Sequence, residues 1–195
     1  GSTSRLAEAF NTEPIVDGDG YCGAGSSTFL RNLKALFFTH LHNDHVADYP
    51  SLLLIGPGAG LGTLSPLQVI GPCDRGQLDV NKTGFDERRL IYTDSADPAR
   101  ITPTPGIRQT TDLIWQAFAQ AINDMTLDNA YPDFRSLVQV TEIGTELPER
   151  DDPTCPAIPP FLVYPEDERG VEVWATLVDH HQVYPSFAYR FNTPD

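Results

Sequence analysis

The segment ALFFTHLHNDHVADYP, residues 35–50, is the part of the sequence that decides the fold. Its first residues are apolar and predict a buried β-strand over residues 35–39. Three of the chain's five histidines follow at once, at positions 40, 42 and 45, with Asp44 among them. The other two, His180 and His181, follow a second apolar run near the end of the sequence. The histidines are therefore confined to two predicted strand ends.

This arrangement indicates a metal site. Neighbouring imidazoles repel one another when protonated, and burying them neutral without partners costs free energy. A divalent ion removes both difficulties, because it binds neutral imidazole nitrogens and carboxylates. In an extended loop, His40 and His42 project to one side and can share one ion, whereas Asp44 and His45 turn toward a second. We therefore predict two ions about 3.5–4 Å apart. Zinc is the first expectation, and manganese and iron accept the same ligand types.

Beyond this segment, strands alternate with helices and loops. Strands are predicted in LQVIGP at 67–72, in RSLVQVTEI at 135–143, and in two adjacent runs at 171–181 and 185–191. A helix is predicted from an N-terminal cap at Ser51. A second helix, near 111–127, places apolar residues on one face: Ile114, Phe118, Ala121, Ile122 and Met125. This alternation predicts the α/β class, with α+β layers around a sheet.

Length and local composition predict the domain organisation. At 195 residues the chain fits one domain or most of one. Residues 5–10 are predicted to be helical. The glycine-rich segment Asp17–Ser27, the polar segment 73–105 and the proline-rich segment 150–160 are predicted to be loops. The three cysteines, at positions 22, 73 and 155, are expected to be buried or idle thiols.

The net charge of −14 limits the partners that the chain can bind. A protein that binds nucleic acid needs clustered lysines and arginines, because its affinity rises with the number of phosphates that these side chains neutralise. Here the basic residues are scattered, so we expect a small-molecule substrate and no nucleic acid. No stretch approaches the roughly 18 apolar residues of a membrane span, so no membrane partner is expected. Homo-oligomer formation and the cellular compartment are left open.

Two motifs carry a resemblance to a known family. THLHNDH, Thr39–His45, resembles the H-x-H-x-D-H signature of the metallo-β-lactamase superfamily. ATLVDHHQVYPSFAYRF, residues 175–191, resembles the segment H…P-x-(A/G)-Y-R of the branch that contains ribonuclease Z and arylsulfatase-like enzymes. The resemblance implies a single partial domain, 1–195, built as a metallo-β-lactamase-like αβ/βα sandwich, with an insert at about 73–160 that contains the helix near 111–127. It also implies that the sandwich is incomplete, because the family's bridging aspartate and last histidine would come after Asp195 and its opening strands before Gly1.

The resemblance also implies a ligand set. His40 and His42 match two ligands of the first ion, and His180 matches the third, counting back from Pro185 and the Tyr-Arg pair. Asp44 and His45 match ligands of the second ion. Thr39 is expected to support the loop by hydrogen bonding.

The implied activity is that of a metal-dependent hydrolase, in which a metal-bound hydroxide attacks the substrate and Asp44 orients it and accepts its proton. Charge favours a small ester, an aryl sulfate or a phosphodiester, over ribonuclease Z-like RNA processing. A lactonase of the same superfamily and an inactive metal-binding half-domain are the alternatives. An amidohydrolase is disfavoured because it needs a barrel of about 250 residues. Three aromatic residues are expected in the core, with walls of a substrate pocket as the alternative: Trp115, Phe118 and Tyr131.

Overall fold

The computed structural model describes residues 5–6, 9, 15–17, 20–22, 28–74, 78–79, 100–101, 104–147, 158–180 and 183–194. The chain divides into two compact units. Unit 1 comprises Gly1–Phe37, His42–Val69 and Thr111–Thr141, and unit 2 comprises Phe38–Leu41, Ile70–Thr110 and Glu142–Asp195.

The described residues contain strands, helices and single turns of 3-10 helix. In chain order the strands are β1 Ile15–Asp17, β2 Gly20–Cys22, β3 Ala35–Phe37, β4 Leu67–Pro72, β5 Leu78–Asp79, β6 Arg100–Ile101, β7 Val138–Ile143, β8 Phe161–Tyr164, β9 Glu172–Leu177 and β10 Phe187–Asn192. The helices are α1 Asn43–Val46, α2 Tyr49–Ile55, α3 Ile107–Ala117 and α4 Ala119–Asn129, and the 3-10 turns are Gly56–Ala59 and Phe134–Leu137.

Strands β3, β4 and β7 form one sheet in that order. Gln68 N donates to Lys34 O at 2.9 Å, and Phe38 N donates to Ile70 O at 2.8 Å. Because both residue numbers rise together along these bonds, β3 and β4 are parallel. Every residue of β4 except Gln68 is buried, as expected for a strand covered on both faces. The predicted strand at 67–72 is thereby confirmed.

Strands β8, β9 and β10 form an antiparallel sheet with β9 in the centre. Phe187 pairs with Leu177, and the register continues to Asn192 opposite Glu172. Along β9, Val173, Ala175 and Leu177 are buried and alternate with less buried residues, which is the period of a strand with one face on the core. The adjacent pair of strands predicted near the end of the sequence is confirmed, whereas β8 was not predicted.

Parallel and antiparallel sheets thus occur together with helices, and the predicted α/β class is confirmed. Within the described ranges, no helix combines the length and the apolar character that crossing a bilayer requires.

Helix α2 begins earlier than predicted. It starts at Tyr49, with Asp48 at the N-cap position and Pro50 in the first turn, so Ser51 lies inside the helix and does not cap it. Proline is favoured in the first turn because its fixed φ suits a helix and its missing N–H would have no intrahelical acceptor. The buried face of α2 carries Tyr49, whose hydroxyl lies 2.8 Å from Thr111 Oγ1 within the core of unit 1.

The helix predicted near 111–127 is two helices, α3 and α4, separated at Phe118. Phe118 has φ −111° and ψ 18°, which is outside helical geometry. Apolar spacing counted across this break therefore does not define one face. Phe118 is 43% exposed, and α4 contains no buried residue, so the expected core position of Phe118 is wrong. Trp115 and Tyr131 are partly buried, and Tyr131 contacts the Phe134 ring edge-on.

Several further sequence predictions concern segments that lie only partly within the described residues. The segment 73–105, predicted as loop, contains the short pair β5 and β6. The glycine-rich segment, also predicted as loop, contains β2, which pairs with β1. Cys73 is a partly buried free thiol whose pKa is raised by burial and by the charge of Glu142. The side chains of Cys22 and Cys155 lie outside the described residues, as do His181 and most of segments 5–10 and 150–160.

Replacing Gly62 with alanine should destabilise the protein. Gly62 has φ +72°, and a Cβ there would collide with the Leu137 carbonyl oxygen and lie 2.8 Å from its Cβ. The left-handed backbone alone costs about 1–2 kcal/mol for a residue with a Cβ, so we expect the free energy of unfolding in denaturant to fall by at least that much. Gly58→Ala is the matched control, because its Cβ would meet only the end of the Tyr131 side chain, with the hydroxyl oxygen at 3.2 Å and Cζ at 4.0 Å. Equal stability of the two variants would contradict this account.

Tyr49 should make the protein sensitive to alkaline pH. Burial raises the pKa of Tyr49 to about 12 in the folded protein. Its unfolded value is near 10, so below pH 10 both states keep the proton, and between pH 10 and 12 only the unfolded state ionises. The free energy of unfolding should therefore fall in that window by up to about 1.4 kcal/mol per pH unit. Tyr49→Phe should be less stable at neutral pH but have a shallower alkaline slope. Identical slopes in the two proteins would refute the assignment.

Candidate metal centre

His40 lies just beyond the end of β3 and is 4% exposed. Its Nδ1 lies 3.0 Å from the hydroxyl of Thr39, which is within hydrogen-bonding distance. A hydrogen bond at one ring nitrogen sets the orientation of an imidazole and lets the other nitrogen bind a metal. Here that other nitrogen is Nε2, which is buried. The contact with Thr39 accords with the supporting role that the sequence predicts for this residue.

His180 lies beyond the end of β9 and forms an isolated β-bridge with Val183. Its carbonyl oxygen accepts a hydrogen bond from Val183 N at 3.0 Å, and Val178 N donates to Ser186 O at 2.8 Å. These bonds hold the backbone on both sides of the residue. The ring of His180 meets that of His40 edge-on, with centroids 4.6 Å apart and planes at 80°. The ends of β3 and β9 thus bring one histidine each to the same place.

His42 is the third member of the group. One ligand nitrogen from each of His40, His42 and His180 lies within 4.8 Å of the other two. Nitrogens bound to zinc at 2.0–2.1 Å with tetrahedral angles would be about 3.3 Å apart. The donor set therefore fits a zinc-like ion if the nitrogens draw together by no more than about 1.5 Å. His40 is buried whereas His42 and His180 are exposed, so the group opens to solvent on one side.

Asp44 and His45 lie in the one-turn helix α1 and not in an extended loop. Both are exposed, and Asp44 Oδ2 lies 3.6 Å from His45 Nε2. Neither belongs to the group that His40, His42 and His180 form among the described residues. The assignment of Asp44 and His45 to a second ion, and of Asp44 as the catalytic residue, stays a prediction.

Sequence reasoning did not assign the backbone anchors of the site. Tyr189 donates a hydrogen bond from its hydroxyl to Phe38 O at 2.8 Å, and Phe187 N donates to Thr39 O at 2.9 Å. Burial raises the pKa of Tyr189 well above its usual range, so its hydroxyl keeps its proton even in alkaline solution. Tyr189 stands within the second motif quoted above, but nothing in that motif indicates which carbonyl its hydroxyl reaches.

Comparison with known proteins gives one partial similarity. No protein-family model matches the chain, and no solved structure matches it. A ribonuclease Z of Clostridium kluyveri is 41% identical over 58 residues, a stretch that covers 26% of this chain and 18% of that relative. The chain therefore spans less than a fifth of the length of the curated relative that it matches. The similarity supports the predicted metallo-β-lactamase-like fold on the ribonuclease Z side of the resemblance, and it lends no support to the arylsulfatase-like side.

Removing His180 should weaken metal binding strongly. His180→Ala deletes one of three nitrogen donors, and loss of a group that merely orients a ligand already costs about 10–100-fold in affinity. We therefore expect zinc affinity, measured by competition with a chromophoric chelator, to fall by more than about 100-fold. His45→Ala is the matched control, since His45 lies outside the three-histidine group and its loss should leave that group able to bind one ion. Similar zinc affinities for His180→Ala and the unmodified protein would contradict the ligand assignment.

Proposed function

We propose that this protein is a metal-dependent hydrolase that binds a divalent ion, zinc in the first instance, through His40, His42 and His180. The proposal is carried by one observation, the convergence of three imidazole nitrogens within 4.8 Å. The partial similarity to a ribonuclease Z supports the same class of activity. The assignment of residues 1–195 to one partial domain of metallo-β-lactamase type, with an insert at about 73–160, belongs to this proposal.

Each residue of the site would have a distinct role. When bound, the ion lowers the pKa of water and offsets negative charge on the group under attack. His40 is held by Thr39 at Nδ1 and would fix the ion on the buried side of the site. His42 and His180 would close the ligand set at the exposed side, where substrate arrives. Asp44 is exposed in the next helical turn and is proposed to orient the attacking water and accept its proton.

Charge selects the substrate class. The chain carries a net charge of −14, and exposed carboxylates of Asp44 and Asp179 are close in sequence to the three histidines. A long RNA would meet repulsion here, because binding of nucleic acid depends on clustered cationic side chains. A substrate with a single negative charge, or none, is repelled much less. We therefore propose a small ester, an aryl sulfate or phosphodiester, or alternatively a lactone.

Two further candidates rest on specific observations. The similarity to a ribonuclease Z favours an RNA substrate, against the charge argument. The position of Asp44 and His45 outside the three-histidine group favours a metal-binding protein without hydrolytic activity.

A substrate panel separates these candidates. The protein is loaded with zinc or manganese and assayed with p-nitrophenyl sulfate, bis(p-nitrophenyl) phosphate, a γ-lactone and a structured RNA. We expect turnover of at least one small ester and none of the RNA. His42→Ala should lower that turnover by at least about 100-fold, because an incomplete ligand set holds the ion poorly.

The control for this assay is Glu168→Gln, which removes an exposed carboxylate in a turn of unit 2 and should retain full turnover. Cleavage of the RNA alone would overturn the small-ester proposal in favour of a ribonuclease. Bound metal without turnover of any substrate would favour the inactive metal-binding alternative.

A further inference from the structure

Strand β10 contains no predicted metal ligand, yet it and the residue before it hold both segments from which His40 and His180 extend. On the side of His40, the backbone N–H of Phe187 donates to Thr39 O at 2.9 Å. The hydroxyl of Tyr189 donates to Phe38 O at 2.8 Å. The two carbonyls immediately preceding His40 are therefore both fixed from β10.

The same strand holds the other histidine. Ser186, directly before β10, accepts a hydrogen bond from Val178 N at 2.8 Å. Phe187 then pairs with Leu177 in the register of β9 and β10. The chain runs only from Val178 through Asp179 before it reaches His180. The exit of β9 is thus tied to the start of β10, within two residues of the second ligand.

The start of β10 is well suited to this task because it is buried and closely packed. Ser186 and Phe187 are 2% and 1% exposed. The ring of Phe187 also contacts that of Phe161 edge-on, with centroids 6.1 Å apart. A packed strand that bonds to two neighbouring segments transmits one spacing to both of them. The separation between His40 and His180 is therefore set from β10.

Only one of these bonds depends strongly on residue identity. The bonds made by Phe187 N and Ser186 O are backbone bonds, which most residues at those positions would provide. The bond to Phe38 O needs a side chain that is long, rigid and ends in a donor, which tyrosine supplies. Phe38 N is bound on the other side by Ile70 O at 2.8 Å, so the peptide groups around Phe38 are held from two strands.

We infer that Tyr189 is a positioning residue that holds the backbone before His40 so that this histidine and His180 bind the same ion. This inference rests on the proposed metal-binding function, because it concerns how accurately the donors of that site are placed. Tyr189 need not touch the ion or the substrate, since its hydroxyl acts through the carbonyl of Phe38. The hydroxyl is thus part of the site although it stands 149 positions away from His40 in the chain.

The test compares Tyr189→Phe with the unmodified protein. The variant keeps the ring and its packing and loses only the hydroxyl. We expect zinc affinity, measured well below the unfolding temperature, to fall by about tenfold, as for other groups that orient a metal ligand. Cobalt(II) replaces zinc as a spectroscopic probe. Its visible absorption bands should shift or weaken in the variant, because they report the arrangement of the ligand nitrogens.

Tyr164→Phe is the matched control. Its hydroxyl donates to Asp167 Oδ2 at 3.4 Å in the neighbouring strand and turn, so zinc affinity and the cobalt spectrum should not change. If Tyr189→Phe lowers the unfolding temperature but keeps the affinity and spectrum of the unmodified protein, Tyr189 is only structural and the inference is wrong. Failure of the unmodified protein itself to bind zinc or cobalt would instead overturn the proposed function, and this inference with it.

Discussion

The structure depends on a geometric requirement at two strand ends. Imidazole nitrogens can share one ion only if their backbones are held at a definite separation, because metal–nitrogen distances vary by a few tenths of an ångström. His40 and His42 come from the end of β3 and His180 from the end of β9. These segments are far apart in the sequence, so their separation must be supplied by the fold. Hydrogen bonds from β10 and burial of His40 supply it in unit 2.

The charge of the chain accords with this requirement. A strongly acidic protein attracts divalent cations over distances comparable to the screening length and repels polyanions. Neutral imidazoles then provide the local selectivity that carboxylates alone would lack. The surface charge thus acts on a metal ion over long distances and the histidine group acts on it at contact, and both favour its uptake.

Much of the fold was predictable wherever one signal dominated the sequence. The run at 67–72 is mostly apolar and is a buried strand, and β9, in the predicted run at 171–181, alternates as a half-buried strand should. The break at Phe118 was not predictable, because both flanking segments have helical spacing and tertiary contacts can override local helix propensity. Similarly, the pattern of THLHNDH indicates a metal site, but it does not reveal that Asp44 and His45 enter a helical turn. Strand β8 is short, and its neighbouring prolines weaken the sequence signal.

The alternation of side chains along β10 limits how this region can change during evolution. Successive residues of a strand face opposite sides, so gaining or losing one residue between Pro185 and Tyr189 would turn the tyrosine to the other face. The same insertion or deletion would also move the backbone groups of Ser186 and Phe187 out of register with their hydrogen-bond partners, Val178 and Thr39. Homologous chains that keep the two histidine segments should therefore vary in length outside this short interval and keep its residue count unchanged.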